Sequence, residues 1–188
     1  MRKLKLQMQM TVDGFVAGPN GENDWVFLPG KQDQAAFQFI IDMAESCDTI
    51  LLGRKMSPEF VGHWENVLDN QPDSPWHPFA QLMVSHRKIA FSHSETFIAG
   101  RNVEVENGDL ITAVQAIKNQ PGKDILVYGG AGFVSSLVSF NLIDEYNFIV
   151  NPVAIGAGLS IFKERKILNL ESSTAYKNGK VVNKYLPV

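Results

Sequence analysis

Leu4, Leu6, Met8 and Met10 alternate with Lys5, Gln7 and Gln9, the two-residue period of a strand. Residues 11–21 follow with Gly14, Gly18, Pro19, Asn20 and Gly21, which predicts a loop. Phe37, Ile40, Ile41, Ala44 and Cys47 share one helical face, so the pattern predicts an amphipathic helix with Asp33 as its cap and Cys47 buried at its end. Residues 49–52 predict a short strand that closes on Gly53-Arg54-Lys55. Ser57-Pro58-Glu59 then sets cap, proline and acid in the order that opens a helix. A loop with Pro72, Pro75, Trp76 and Pro78 leads to another short helix and to a strand over 88–91. Asp109 is placed to cap a helix through Ile117, and Gly122 punctuates before a strand over 125–128. That strand runs into Gly129-Gly130, and the chain turns helical over 134–140. A strand over 145–150 and a hairpin over 174–185 complete the pattern, with Asn178-Gly179 predicting a type I′ turn.

Strands alternating with helices and then a terminal hairpin predict an α/β sheet, mostly parallel with an antiparallel edge. The 188 residues show no repeat, low-complexity tract or linker, so one domain over 1–188 is expected. The apolar share of 45% and charged share of 20% are those of a soluble globular chain. A net charge of −3 gives no general attraction for nucleic acid, and an anionic ligand needs a local cluster of cations. The single cysteine, Cys47, excludes an intrachain disulfide and fits a reducing cytoplasm. The first ten residues lack the apolar run of a signal peptide, and no window has the length of a membrane span. His63 and His77 lack the spacing and partners of a metal site.

The most specific local feature is DILVYGGAGF, residues 124–133. A strand ending in two glycines at a helix start suits a phosphate, because ligand can approach the backbone and the first helical amides point at it. A near-match to GxGxxG is also present, but Ser135 replaces its third glycine and too little chain follows for a Rossmann domain.

Four segments in order carry a resemblance: TVDGFVAG (11–18), TILLGRK (49–55), KIAFS (88–92) and the run 125–162 with GGAG, LIDE and NPVAIGAGLSIF. Together they resemble the dihydrofolate reductase-like superfamily. Within it the chain is most similar to the C-terminal reductase domain of the bifunctional riboflavin-biosynthesis deaminase–reductase and to stand-alone bacterial dihydrofolate reductase family proteins. The resemblance implies a three-layer fold with helices on both faces of the sheet, NADPH as cofactor and hydride transfer to a C=N or C=O bond of a small molecule. It also implies a homodimer.

The resemblance further implies site residues. Gly53, Arg54 and Lys55 would contact the adenosine phosphates, with Arg54 at the 2′-phosphate, where a guanidinium forks onto phosphate oxygens. Met56 stands where the family usually has a pyrophosphate-binding threonine, and Ser57 either compensates or caps its helix. Ser92 and His93 would lie beside the adenine ribose, with Arg87 and Lys88 either adding charge there or forming a solvated strand start. Gly129, Gly130, Ala131, Gly132 and Phe133 would cradle the pyrophosphate, with a cis peptide between the first two glycines. Asp13 corresponds to an active-site carboxylate that binds substrate or helps proton supply, although Asp-Gly is also a common turn pair. Trp25 and Asp33 fall in the region of the superfamily's substrate contacts, and Trp25, Phe27, Trp64 and Trp76 suit the wall of a heterocycle pocket or a packed core. An alternative substrate is the ribosylaminopyrimidine of riboflavin biosynthesis. A different alternative is a nucleotide- or pterin-binding module without turnover.

Overall fold

The computed structural model describes residues 1–27 and 33–188. The Phe27 side chain, and with it that part of the proposed aromatic wall, lies outside the described residues. In chain order the elements are β1 (Leu4–Thr11), a short 3-10 helix (Asp24–Phe27), α1 (Gln34–Glu45), β2 (Cys47–Gly53), α2 (Ser57–Asn70), α3 (His77–Ser85) and β3 (Arg87–Phe91). They continue with β4 (Val103–Glu106), α4 (Leu110–Asn119), β5 (Asp124–Gly129), α5 (Ala131–Ser139), β6 (Glu145–Asn151), β7 (Leu168–Ala175) and β8 (Val181–Pro187). Two compact units are formed, one of Met1–Arg2 and Ile41–Gly130, the other of Lys3–Ile40 and Ala131–Val188.

In the first unit β4, β3, β2 and β5 lie side by side, all parallel. Ile50, Leu51 and Leu52 of β2 and Ile125, Leu126 and Val127 of β5 are fully buried, the continuous apolar run of strands covered on both faces. Cys47 belongs to this run and starts β2, whereas the helical face had placed it at the end of α1. The helix stops at Glu45, and the thiol is buried in the sheet. Sequence pattern missed β4 altogether, because four residues alternating valine with glutamate carry too weak a signal at an edge. Asp109 caps α4 as expected, its carboxylate accepting from the Thr112 amide at 2.9 Å. Ser57 does not cap α2. It is the first helical residue, fully buried, and its hydroxyl donates to the Gly53 carbonyl at 3.0 Å. Trp64 meets Phe79 edge-on with ring centroids 4.9 Å apart and Trp76 at 6.1 Å, so these two tryptophans pack α2 against α3.

In the second unit β1 pairs parallel with β6, β6 antiparallel with β8, and β8 antiparallel with β7. Asp33 caps α1, one oxygen accepting from the amides of Ala35 and Ala36 at 2.9 and 3.2 Å. Its other oxygen accepts from the Lys177 amide at 2.7 Å, tying the helix start to the hairpin tip. The hairpin turn differs from the expected type I′. Only Gly179 has positive φ (84°), and the Tyr176 amide donates to the Lys180 carbonyl at 2.9 Å across a three-residue loop. Asn178 stays in ordinary φ because its side chain accepts from the Lys180 amide at 3.1 Å, so the left-handed step falls on glycine alone. The hairpin also starts earlier than the pattern indicated, since β7 is polar and almost wholly exposed. The fold is thus α/β with mostly parallel strands and an antiparallel C-terminal pair, as the sequence predicts.

Candidate functional site

At the C-terminal end of β2 the chain turns through Arg54 and Lys55, both exposed, where the Arg54 amide donates to Phe91 of β3 at 3.1 Å. The two cations line a cleft of about 540 Å³ with Pro58, Gly62, Glu65, Glu95 and Phe97. Phe97 is 77% exposed, a flat apolar face left at the cleft and suited to stacking on a heterocyclic base. The Arg54 guanidinium lies 3.7 Å from the Glu95 carboxylate. Gly53 closes β2, its carbonyl accepting from Met56 N–H at 3.1 Å as well as from Ser57. Ser92 is buried, and its hydroxyl oxygen accepts from the amides of Ser94 and Glu95 at 3.1 and 2.8 Å. Both serines therefore shape the backbone around the cleft, and His93 is exposed beside them. Arg87 pairs with Glu104 at 2.8 Å, while Lys88 is buried under α3; neither adds a cation to the cleft lining.

The glycine turn begins with a bulge. Val127 pairs with Leu51 but Gly129 with Leu52, so Tyr128 is the extra residue and packs on Phe60 at 5.6 Å. Among the described residues there is no cis peptide bond, contrary to the expectation for Gly129-Gly130. Positive φ at Gly129 (147°) supplies the change of direction instead, which only glycine adopts freely. α5 starts at Ala131, so the first-turn amides of Ala131, Gly132 and Phe133 lack helical acceptors. A Cβ built on Gly130 or on Gly132 would meet no protein atom within 4 Å. Packing against the rest of the chain therefore does not require glycine at these two positions.

In the second unit Asp13 is exposed just beyond β1, and one carboxylate oxygen accepts from the amides of Ile155 and Gly156 at 3.0 and 2.8 Å. The Thr11 side chain first, then these amides, hold its carboxyl below the ordinary carboxylate range. Its exposed carboxylate thus serves the 155–156 turn as an acceptor. Its replacement by alanine is expected to speed amide hydrogen exchange at Ile155 and Gly156 while leaving the β1–β6 ladder protected, as read by exchange mass spectrometry or NMR. Asp33 is spent on α1 and the hairpin, as above. Trp25 is 3% exposed, and among the described residues its indole N–H has no hydrogen-bond partner. Asn151, at the end of β6, is fully buried, and its side-chain oxygen likewise has no partner among the described residues. Lys180 was not singled out from the sequence. Its ammonium donates to the Val26 carbonyl at 3.1 Å, and burial lowers its pKa. Sequence spacing gives no hint of it, because the contact spans the whole second unit. Glu95 and Phe97 were missed for the same reason, reaching Arg54 only through the pairing of β2 with β3.

Against known families, the sequence model of the RibD C-terminal domain matches residues 2–182. The chain belongs to that family. The Bacillus subtilis (strain 168) protein YyaP is 30% identical over 96% of this chain and 92% of its own length. The solved deaminase/5-amino-6-(5-phosphoribosylamino)uracil reductase of Thermotoga maritima superposes with a TM-score of 0.65 at 16% identity, covering 100% of this chain and 57% of that one. Dihydrofolate reductase from Enterococcus faecalis, solved with NADP(H), gives a TM-score of 0.61 at 12% identity over 98% of this chain and 96% of that one. These likenesses of fold bear out the resemblance read from the four sequence segments. Among the described residues no helix is long and apolar enough to cross a membrane.

Proposed function

We propose that this chain is an NADPH-dependent reductase that delivers hydride to a C=N or C=O bond of a small heterocyclic or carbonyl substrate. The observation that carries the reading is a two-cation cleft at Arg54 and Lys55, at the end of β2, with the open Cβ position of Gly130 at the end of the neighbouring strand β5. Membership of a family named for a reductase-bearing riboflavin-biosynthesis protein supports it. A bound dinucleotide supplies the hydride from its nicotinamide. The work of the chain is to hold and orient. Arg54 and Lys55 offer charge-assisted hydrogen bonds to an adenosine phosphate, and Phe97 offers a stacking face for the base. Gly130, Ala131 and Gly132 bring main-chain amides and a helix N-terminus to a pyrophosphate. Asp13 fixes the 155–156 turn and keeps an ionised carboxylate for polar N–H or O–H groups of the acceptor.

A phosphoribosyl substrate, as in 5-amino-6-(5-phosphoribosylamino)uracil reduction, is the second reading. Lys180 favours it, as a partly desolvated ammonium whose hydrogen-bond acceptor is a neutral carbonyl. Such a cation gains most from an anionic oxygen. Titration with NADPH and NADH, followed by nicotinamide fluorescence, tests the main reading. Arg54→Ala is expected to weaken NADPH about tenfold, a moderate loss because the guanidinium is exposed to solvent and shared with Glu95. NADPH affinity that ignores this substitution places the cofactor elsewhere.

A further inference from the structure

The cleft beside β2 carries two carboxylates as well as two cations, and they differ in their engagement. Glu65 accepts from the Arg101 amide at 2.5 Å and lies 3.5 Å from the Arg101 guanidinium, which it shares with Asp69. Glu95 faces Arg54 at 3.7 Å, with the Ser94 hydroxyl at 3.4 Å as its other contact, and its side chain is 49% exposed. Its placement is built. The Glu95 amide is held by the buried Ser92 hydroxyl at 2.8 Å, and its carbonyl accepts from the Asn107 side-chain amide at 2.8 Å. Asn107 also donates to the Ser92 carbonyl at 2.7 Å. Two side chains, Ser92 and Asn107, thus fix the main chain from which Glu95 faces the arginine assigned to phosphate binding.

We propose that Glu95 is the residue that sets cofactor choice at this cleft. The inference rests on the reductase reading, in which Arg54 meets the 2′ position of the adenosine ribose. A 2′-phosphate carries between one and two negative charges at neutral pH, so Glu95 repels it and competes with it for Arg54. A 2′-hydroxyl is neutral and donates a hydrogen bond, for which a carboxylate is a good acceptor. One carboxylate therefore penalises NADPH and favours NADH, bringing the two affinities together. Repulsion against one ligand is as effective a source of selectivity as attraction to the other. Glu95 thus narrows the preference for NADPH that Arg54 confers, and neutral glutamine at position 95 widens it.

The test is to titrate wild type, Glu95→Gln and Glu65→Gln with NADPH and with NADH at low ionic strength. Glu95→Gln is expected to tighten NADPH about tenfold and to leave NADH unchanged or slightly weaker. The effect shrinks when salt is raised, because the charges are exposed. Glu65→Gln leaves the ratio of the two affinities as it was, since that carboxylate is held by the amide and guanidinium of Arg101 and does not compete for Arg54. Binding of both dinucleotides with a ratio that Glu95→Gln does not change overturns the inference while the reductase reading stands. Failure of both dinucleotides to bind any of the three proteins overturns the reductase reading, and this inference with it.

Discussion

Replacing Lys88 by methionine is expected to lower the unfolding free energy by about 2–4 kcal/mol, read as a fall in the urea midpoint at unchanged slope. Lys88 is 2% exposed, and its ammonium donates to the carbonyls of Met83, Val84 and His86 at 2.9, 3.0 and 2.8 Å. Two of these carbonyls lie in the last turn of α3, whose end Lys88 satisfies together with the Asn102 side-chain amide, which donates to Val84 and Ser85 at 3.1 and 3.3 Å. Methionine fills the space but removes the donor from all three carbonyls, of which Val84 alone keeps a second partner, the Asn102 side-chain amide at 3.1 Å. Desolvation pushes the Lys88 pKa down from 10.5 to about 8. Below pH 8 the lysine is charged in folded and unfolded chains alike, and the cost of burying the charge is present in full. Between pH 8 and 10.5 the unfolded chain binds the extra proton, so this group adds stability as pH rises. The stability gap between wild type and Lys88→Met should therefore widen over that window. A gap that narrows there would mean that the three carbonyls outweigh desolvation and hold the proton.

Lys88 also shows where sequence reading stops. Its neighbours in sequence suggested a basic group beside the cofactor, but β3 alternates faces, so Arg87 goes to solvent and Lys88 inward. What was legible followed from local periodicity: β1, the buried cores of β2 and β5, the capped α4, and the strand-to-helix glycine turn. Arg54, Lys55 and Gly130 could be named because each sits at a strand end, where the α/β fold puts ligands. What was not legible arises from contacts across the chain. The Asp33 carboxylate divides between α1 and a hairpin 144 residues later, and Asp13 meets Gly156 over 143 residues. No spacing rule announces either. Short polar strands were lost for the opposite reason, because β4 and β7 lie at edges and bury too little to imprint a pattern.

Gly130→Val is expected to weaken NADPH by about 2 kcal/mol or more, roughly thirtyfold, while the protein unfolds at an unchanged or slightly higher temperature. The argument turns on what surrounds each glycine. At Gly158 a Cβ would lie 2.3 Å from the Ala17 carbonyl oxygen and 3.0 Å from the Phe15 ring, so that glycine is required by the protein itself. At Gly130 a Cβ meets nothing within 4 Å, and its φ lies outside the positive range that only glycine favours. Folding alone would accept a side chain there and gain from the loss of freedom in the unfolded chain. Residue 130 directly follows Gly129 and precedes the first helical amides, so on the reductase reading a valine there projects into the space through which a pyrophosphate would approach them. Calorimetry and dinucleotide titration on the same variant separate the two roles. Lost affinity with retained stability assigns the open space to ligand, and Gly158→Ala, which should lower stability first, supplies the contrast. Retained affinity in Gly130→Val would leave the turn as a structural device only and remove the main support for placing a pyrophosphate at the end of β5.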